Sequence, residues 1–406
     1  MAPINRNKMI WHVLILAMIL IVLLAEFAYM SSAPELVDEG ANWKQIKIFL
    51  NREINIKPGL NVLPGYHALI AVVMIVFHKA GIYSARFVTI WISFASVIVF
   101  YLLTWKVCSQ PSLVKTLQYS FFPLFFPFFP LVYTDILAML LVLLAFYLVL
   151  WKKYTLSGIV ALLSLLIRTN NIAWYAFLYV FIYIENYGLD LRAFAKSLKQ
   201  TWFYLFGFGV FGAYLFLNRG IALTDKGMQP LGGLYSGNIF YLLFLWAFLF
   251  LPLNLANIPK MIRLLKDWRW VLPTGFVTYM VYLLTFQSTH PYNQTHPSYF
   301  LRNQLLMTVT HSPTLKNAFF IPVAWSMLSI GVTRLRQKNY YSLYPFTVLS
   351  LLPIWLIEPR YCFVPISLFL LFKEEHSYLV EGLTIAMYIV VCIMLLSPLR
   401  SELFFI

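Results

Sequence analysis

The segment PELVDEGANW, residues 34–43, sets Asp38 beside Glu39 in a short polar gap that follows an apolar run. The chain has 406 residues and only 15 acidic side chains, so adjacent carboxylates at an apolar boundary invite a chemical reading. A carboxylate beside a pocket can take the proton of a hydroxyl while that oxygen attacks an electrophile. Neighbouring side chains point differently on most backbones, so one carboxylate could serve as base, Asp38 before Glu39, while the other holds the acceptor. The plain alternative is a solvated loop whose acids balance Lys44, Lys47 and Arg52.

Asp135 stands alone between two apolar runs in FFPLFFPFFPLVYTDILAML. An ionisable group at such depth is costly and points to function, although Thr134-Asp135 ahead of a helical run also suits a helix cap. Arg168 in LIRTNNIAW, Lys226 in LTDKGMQ, Arg302 in THPYNQTHPSYFLRNQ and Arg360 in LIEPRYCFVP break the charge pattern described below. Four cations on the unexpected face suggest a phosphate or pyrophosphate held near the membrane surface. For Arg360, pairing with Glu358 is the alternative. His290 and His296 fit no helical zinc spacing and have no Asp or Cys beside them, so hydrogen bonding to sugar or phosphate suits them better than metal. The sequence has no Gly-rich phosphate loop, Walker motif or nucleophile elbow, which argues against an ATPase or a serine hydrolase.

The elements that must position these groups are helices in a bilayer. The chain is 61% hydrophobic and 11% charged, with a mean hydropathy of +0.77, which predicts an all-α polytopic membrane protein. Residues 9–30 read as a retained first membrane helix rather than a signal peptide. The net charge of +15 comes from small basic clusters at the ends of apolar runs, the positive-inside pattern rather than a nucleic-acid patch. With the N-terminus inside, residues 31–65 form an outer or luminal loop, and the turns carrying Asp135, Arg168, Asp225, His290 and Glu358 share its face. One of the runs near 66–82 and 86–104 must fail to cross, and the first is chosen. About thirteen crossings remain, within a range of about 12–14. Cys108, Cys362 and Cys392 have no paired spacing and read as buried thiols. No polar stretch is long enough for a separate soluble domain, so residues 1–406 are expected to form one membrane-embedded domain.

In order along the chain, the acidic pair, the Pro-Gly-aromatic step VLPGYH, VYTD, RTNNIAW, LTDK, HPY and EPRY resemble the dolichyl-phosphate-glucose-dependent α-1,2-glucosyltransferases. These add the terminal glucose of the lipid-linked oligosaccharide and belong to the GT-C class of polytopic glycosyltransferases. The resemblance runs from about residue 34 to about 366. Its most specific pieces are Arg168 with Asn171, Ile172 and Trp174, and Glu358, Pro359, Arg360 and Tyr361. The sequence departs from the family where Gly40, Ala41 and Asn42 follow the acids without the usual His. It departs again after Asp225-Lys226, and where His296 to Phe300 follow His290-Pro291-Tyr292.

The resemblance implies a GT-C-like helix bundle with a catalytic luminal first loop, working in protein N-glycosylation. An acceptor hydroxyl would attack the anomeric carbon of a polyprenyl-phosphate sugar, most simply glucose, with Asp38 or Glu39 as base and Arg168, Arg302 and Arg360 stabilising the leaving phosphate. Asp135, Asn171, Trp174, Asp225, Lys226, His290, His296, Glu358 and Tyr361 complete the expected substrate contacts. No cofactor is required, a metal is not demanded, and no nucleic acid is involved. The membrane is the endoplasmic reticulum in a eukaryote or the inner membrane in a bacterium. A GT-C enzyme using another lipid-linked sugar or acceptor, or a transporter of a lipid-linked anion, is the alternative.

Overall fold

The computed structural model describes residues 6–405 apart from 109, 111 and 231. Among the described residues regular structure is helical, with only isolated bridges pairing Phe300 with Phe405 and Leu335 with Lys373. The chain forms two compact units, Met1–Asn218 with Ala222–Thr224, and Arg219–Ile221 with Asp225–Ile406.

The first unit contains α1 (Arg6–Met30), α2 (Asp38–Leu50), α3 (Gly65–Val76), α4 (Ile82–Val107), α5 (Leu113–Ser120), α6 (Thr134–Leu150), α7 (Tyr154–Leu165), α8 (Ile172–Tyr187), α9 (Phe194–Gln200) and α10 (Trp202–Asn218). The second contains α11 (Gly237–Leu249), α12 (Leu251–Ala256), α13 (Ile258–Asp267), α14 (Val271–Thr285), α15 (Leu301–His311), α16 (Pro313–Val332), α17 (Leu343–Leu351), α18 (Phe363–Phe372) and α19 (Tyr378–Arg400).

Four of the described helices, α1 from Met9 onward, α4, α16 and α19, are long and apolar enough to cross a bilayer, and α9 with α10 adds a fifth if that pair, bent by 83°, is one span. Shorter apolar helices of 10–17 residues stand between them. The dozen or so crossings expected from the apolar runs therefore correspond to a smaller set of full-length helices and several short ones. Proline is one reason. Pro123, Pro127 and Pro130 have no amide hydrogen to donate and so interrupt the i to i−4 ladder of the 121–131 run, which folds as buried turns with a 3₁₀ step at Phe126–Phe128.

Each unit is built around a helix with no polar face. In α6 twelve of seventeen residues are buried, and in α18 all ten are. A helix apolar on every side has no stable place except inside a bundle. The helix α3 begins where the Gly65 amide donates to the Leu166 carbonyl at 3.1 Å. It then packs on the first turns of α4, with Tyr66 Oη 2.9 Å from Thr89 Oγ1. A Cβ at Gly65 would lie 2.6 Å from that same carbonyl, so the close approach requires glycine. The Pro-Gly-aromatic step thereby holds the end of the first loop against the turn that carries Arg168.

Candidate active site

In the first unit the acidic pair opens α2, where carboxylates suit the positive end of the helix dipole. The two side chains have opposite surroundings. Glu39 is fully buried, and its Oε1 and Oε2 accept from Arg86 Nε at 2.8 Å and Nη2 at 2.6 Å. Glu39 also accepts from the Leu36 amide at 3.1 Å and the Val132 amide at 3.0 Å. Arg86, itself fully buried in α4, spends its other donors on the carbonyls of Met30 at 2.9 Å, Ala33 at 2.8 Å and Pro34 at 2.8 Å. One guanidinium thus ties the end of α1, the outer loop and the start of α2 to α4. Glu39 is the anion of that lock, and its oxygens are taken up by protein donors.

Asp38 is exposed. Its amide donates to Tyr133 Oη at 3.1 Å, and that hydroxyl donates to the Leu36 carbonyl at 2.8 Å. Just before it, Val37 has φ 49°, a left-handed conformation that a β-branched residue adopts only when its surroundings compel it. The Glu39 lock and the Tyr133 hydroxyl grip the chain on both sides of this strained residue, with Asp38 exposed just beyond it.

The same region receives the next motifs. Asn42 Nδ2 donates to the Val132 carbonyl at 2.8 Å, and Asn42 Oδ1 lies 3.0 Å from Nε2 of buried His67. Two residues beyond Tyr133, Asp135 occupies the first turn of α6, is 3% exposed, and forms an ion pair with Arg168. The cap reading of Thr134-Asp135 is not met, because Tyr133 is the N-cap of α6 and no side chain makes a capping hydrogen bond; Asp135 is instead an acid in the first turn, charge-paired to the arginine of RTNNIAW. Asn171 is buried in the 3₁₀ turn after Arg168, and Trp174 is buried in α8 with its ring centroid 5.9 Å from that of Phe177. In this geometry Trp174 packs in the core.

In the second unit Glu358 is fully buried and shared between two arginines, Arg302 and Arg360, the latter with Nε at 3.2 Å. The backbone that presents it is an extended strap clamped by asparagines. Asn238 Nδ2 donates to the carbonyls of Ile354 at 3.0 Å and Leu356 at 2.9 Å, and its Oδ1 accepts from the Glu358 amide at 3.0 Å. Asn293 exchanges two bonds of 2.9 Å with the backbone of Ile357, and Asn303 Nδ2 holds the carbonyls of Tyr292 and Thr295 at 2.7 Å each. Tyr361 begins the run into α18 and is partly exposed.

His290 is buried at 1% exposure. Its Nδ1 accepts from the Tyr292 amide at 3.1 Å, and its Nε2 donates to the Met228 carbonyl at 3.2 Å. Burial pushes this imidazole below its ordinary range; the Met228 carbonyl opposes that and the Arg302 charge adds to it. The ring is neutral, with one tautomer set by its two partners. His296, six residues on, is exposed with φ 45°. Asp225 and Lys226 are also exposed, at the start of a short 3₁₀ turn. Among the described residues no group of three or more His, Cys, Asp or Glu side chains is placed to hold a metal ion.

The candidates thus gather as two clusters, one per unit. Sequence reasoning missed Arg86, Tyr133 and the three clamping asparagines. For Arg86 the signal was present: an arginine inside an apolar run must find an anion.

A model of the DIE2/ALG10 family matches residues 50–190 and 181–371, a range that holds Asp135, Arg168, His290, Arg302, Glu358 and Arg360. A protein of Candida albicans described as Dol-P-Glc:Glc(2)Man(9)GlcNAc(2)-PP-Dol alpha-1,2-glucosyltransferase is 27% identical over 281 residues, 64% of this chain and 62% of that protein. A protein of Debaryomyces hansenii with the same description is 24% identical over 306 residues, 65% of this chain and 64% of its own length. The chain thus spans less than two thirds of either relative's length. No solved structure matches.

Proposed function

The chain belongs to the DIE2/ALG10 family, and from that membership we propose that it is an inverting glucosyltransferase of the endoplasmic reticulum membrane. Its donor is a polyprenyl (dolichyl) phosphate glucose and its acceptor a hydroxyl of a lipid-linked oligosaccharide, joined in an α-1,2 linkage. The observation that carries the chemistry is the contrast between Asp38 and Glu39, since of the two only Asp38 is exposed, at a strained, braced turn.

The acceptor oxygen attacks the anomeric carbon and forms the new C–O bond as the bond from that carbon to the phosphate oxygen breaks. The electron pair leaves with the lipid phosphate, and the hydroxyl proton passes to Asp38. A positioned base of this kind contributes about 10²- to 10⁴-fold. A phosphate leaving group needs charge more than a proton. In the second unit, Arg302 and Arg360 both meet the Glu358 carboxylate, and guanidinium groups gathered in this way suit a phosphoryl group of a lipid-linked substrate. Support for a polyprenyl substrate comes from an apolar cleft of about 680 Å³ between α3 and α4, walled by Met74, Phe77, Phe87 and Trp91 with Lys79 at its edge. The scheme uses no metal and no nucleotide.

The test is to incubate the purified chain in detergent with dolichyl-phosphate glucose and a lipid-linked oligosaccharide ending in α-1,3-glucose, beside an Asp38→Asn variant. The expected result is a gain of one hexose that falls about 10²- to 10⁴-fold in the variant with its melting temperature unchanged. A gain that survives the substitution moves the base to another carboxylate. Transfer only from a mannose or undecaprenyl donor discards the glucose donor, and no transfer from any lipid-linked sugar favours a transporter.

A further inference from the structure

Neither carboxylate cluster uses the segment between α12 and α14. Its helix, α13, reads IPKMIRLLKD and carries Lys260, Arg263 and Lys266 against one acid, Asp267, with Arg269 two residues beyond. At 3.6 residues per turn, Ile258, Met261, Ile262 and Leu265 fall on one side of the helix, and Lys260, Arg263 and Asp267 on the other. The protein covers only one edge of the apolar side. Met261 is 7% exposed, whereas Ile258, Ile262 and Leu265 are 37%, 47% and 36% exposed.

Two further observations say what covers the remainder. Among the described residues Lys260, Arg263 and Lys266 have no ion-pair partner, and with Asp267 the one acid of the helix, α13 keeps a net positive charge. Trp268 and Trp270, each 64% exposed, stand between α13 and the apolar α14, whose Leu272, Phe276 and Val277 are also exposed. Amphipathic rings at the mouth of an apolar helix mark the headgroup level of a bilayer. A cationic amphipathic helix at that level has the composition of an in-plane element.

We propose that α13 lies in the bilayer interface, with Ile258, Ile262 and Leu265 among the lipid chains and Lys260, Arg263, Lys266 and Arg269 against the phosphates of an anionic phospholipid leaflet. The cations make the helix selective for anionic headgroups, because each one near a negatively charged surface adds severalfold to the preference. The assignment stands apart from the transfer reaction and does not depend on it.

The test places single cysteines at Ile262→Cys and at Arg263→Cys in the full chain, with Cys108→Ser removing the one native thiol that is not buried. Each is labelled with an environment-sensitive fluorophore after reconstitution in phosphatidylcholine nanodiscs, with or without about one-fifth phosphatidylinositol. The label at 262 is expected to be shielded from aqueous iodide and quenched by lipid-borne nitroxide, and the label at 263 to behave in the opposite way. Retention of phosphatidylinositol over phosphatidylcholine, read by native mass spectrometry, is expected to fall roughly tenfold or more when Lys260, Arg263 and Lys266 are changed together to Gln. Iodide reaching 262 as readily as 263 would overturn the in-plane placement. An unchanged lipid preference in the triple variant would overturn the anionic headgroup.

Discussion

The two units each place a fully buried glutamate at one end of a bundle, and they satisfy it in different ways. Glu39 meets a single arginine, and Arg86 has spent its donors on that carboxylate and on the loop carbonyls of Met30, Ala33 and Pro34. Glu358 meets two arginines, and among the described residues Arg302 Nε finds no hydrogen-bond acceptor. Both units also set an acidic motif at the start of their most buried helix, VYTD running into α6 and EPRY just ahead of α18. The lesson lies in the charge balance. A buried pair that closes on itself is architecture, since removing either member strands the other. A buried carboxylate with a surplus of arginine keeps a positive charge that an anionic ligand can complete.

The sharpest way to break the comparison is Arg86→Met. It leaves Glu39 buried without its cation, and unfolding of the chain in detergent should show a loss of about 3–5 kcal/mol. A stable but inactive Arg86→Met protein would move Glu39 from the architecture into the chemistry. Next in size, Arg360→Gln should leave the melting temperature nearly unchanged, because Arg302 still pairs Glu358, while kcat for hexose transfer falls roughly 10²-fold. A variant that unfolded without a kinetic defect would make the second cluster structural as well. Asn293→Ala should cost about 1–3 kcal/mol, since the Ile357 amide and carbonyl lose their partner inside the protein. Its signature would be faster hydrogen exchange along residues 354–358.

The smallest effect is expected from pH. His290 is held below its ordinary value of 6.5, mainly by burial. The unfolded chain therefore binds a proton in a range where the folded one does not, and stability falls as pH drops through and below that value. It is fully present above it. Melting curves across that range should slope less in His290→Gln, and an identical slope would mean that other groups set the acid limit.

Much of the site was legible because charge in an apolar chain is conspicuous. Asp135 and Arg168 stood out singly, and the fold pairs them; for Arg360 the alternative, pairing with Glu358, is the contact the fold makes. What could not be read was the sorting of Asp38 from Glu39. Adjacent residues share a composition and a propensity, and the difference between them comes from an arginine 47 residues away on α4. Trp174 shows the converse. Its motif suggested a substrate contact, yet its ring belongs to the packing of α8.

Composition alone determined a helical, membrane-embedded chain, because an apolar sequence in lipid must satisfy its backbone within its own segments. Local chemistry also determined where those helices break, at proline and at the polar turns. Only the tertiary structure decided which carboxylate is spent on holding the loop and which is left exposed. That choice depends on long-range hydrogen bonds from Arg86, Tyr133 and Val132, whose partners no periodicity in the sequence identifies.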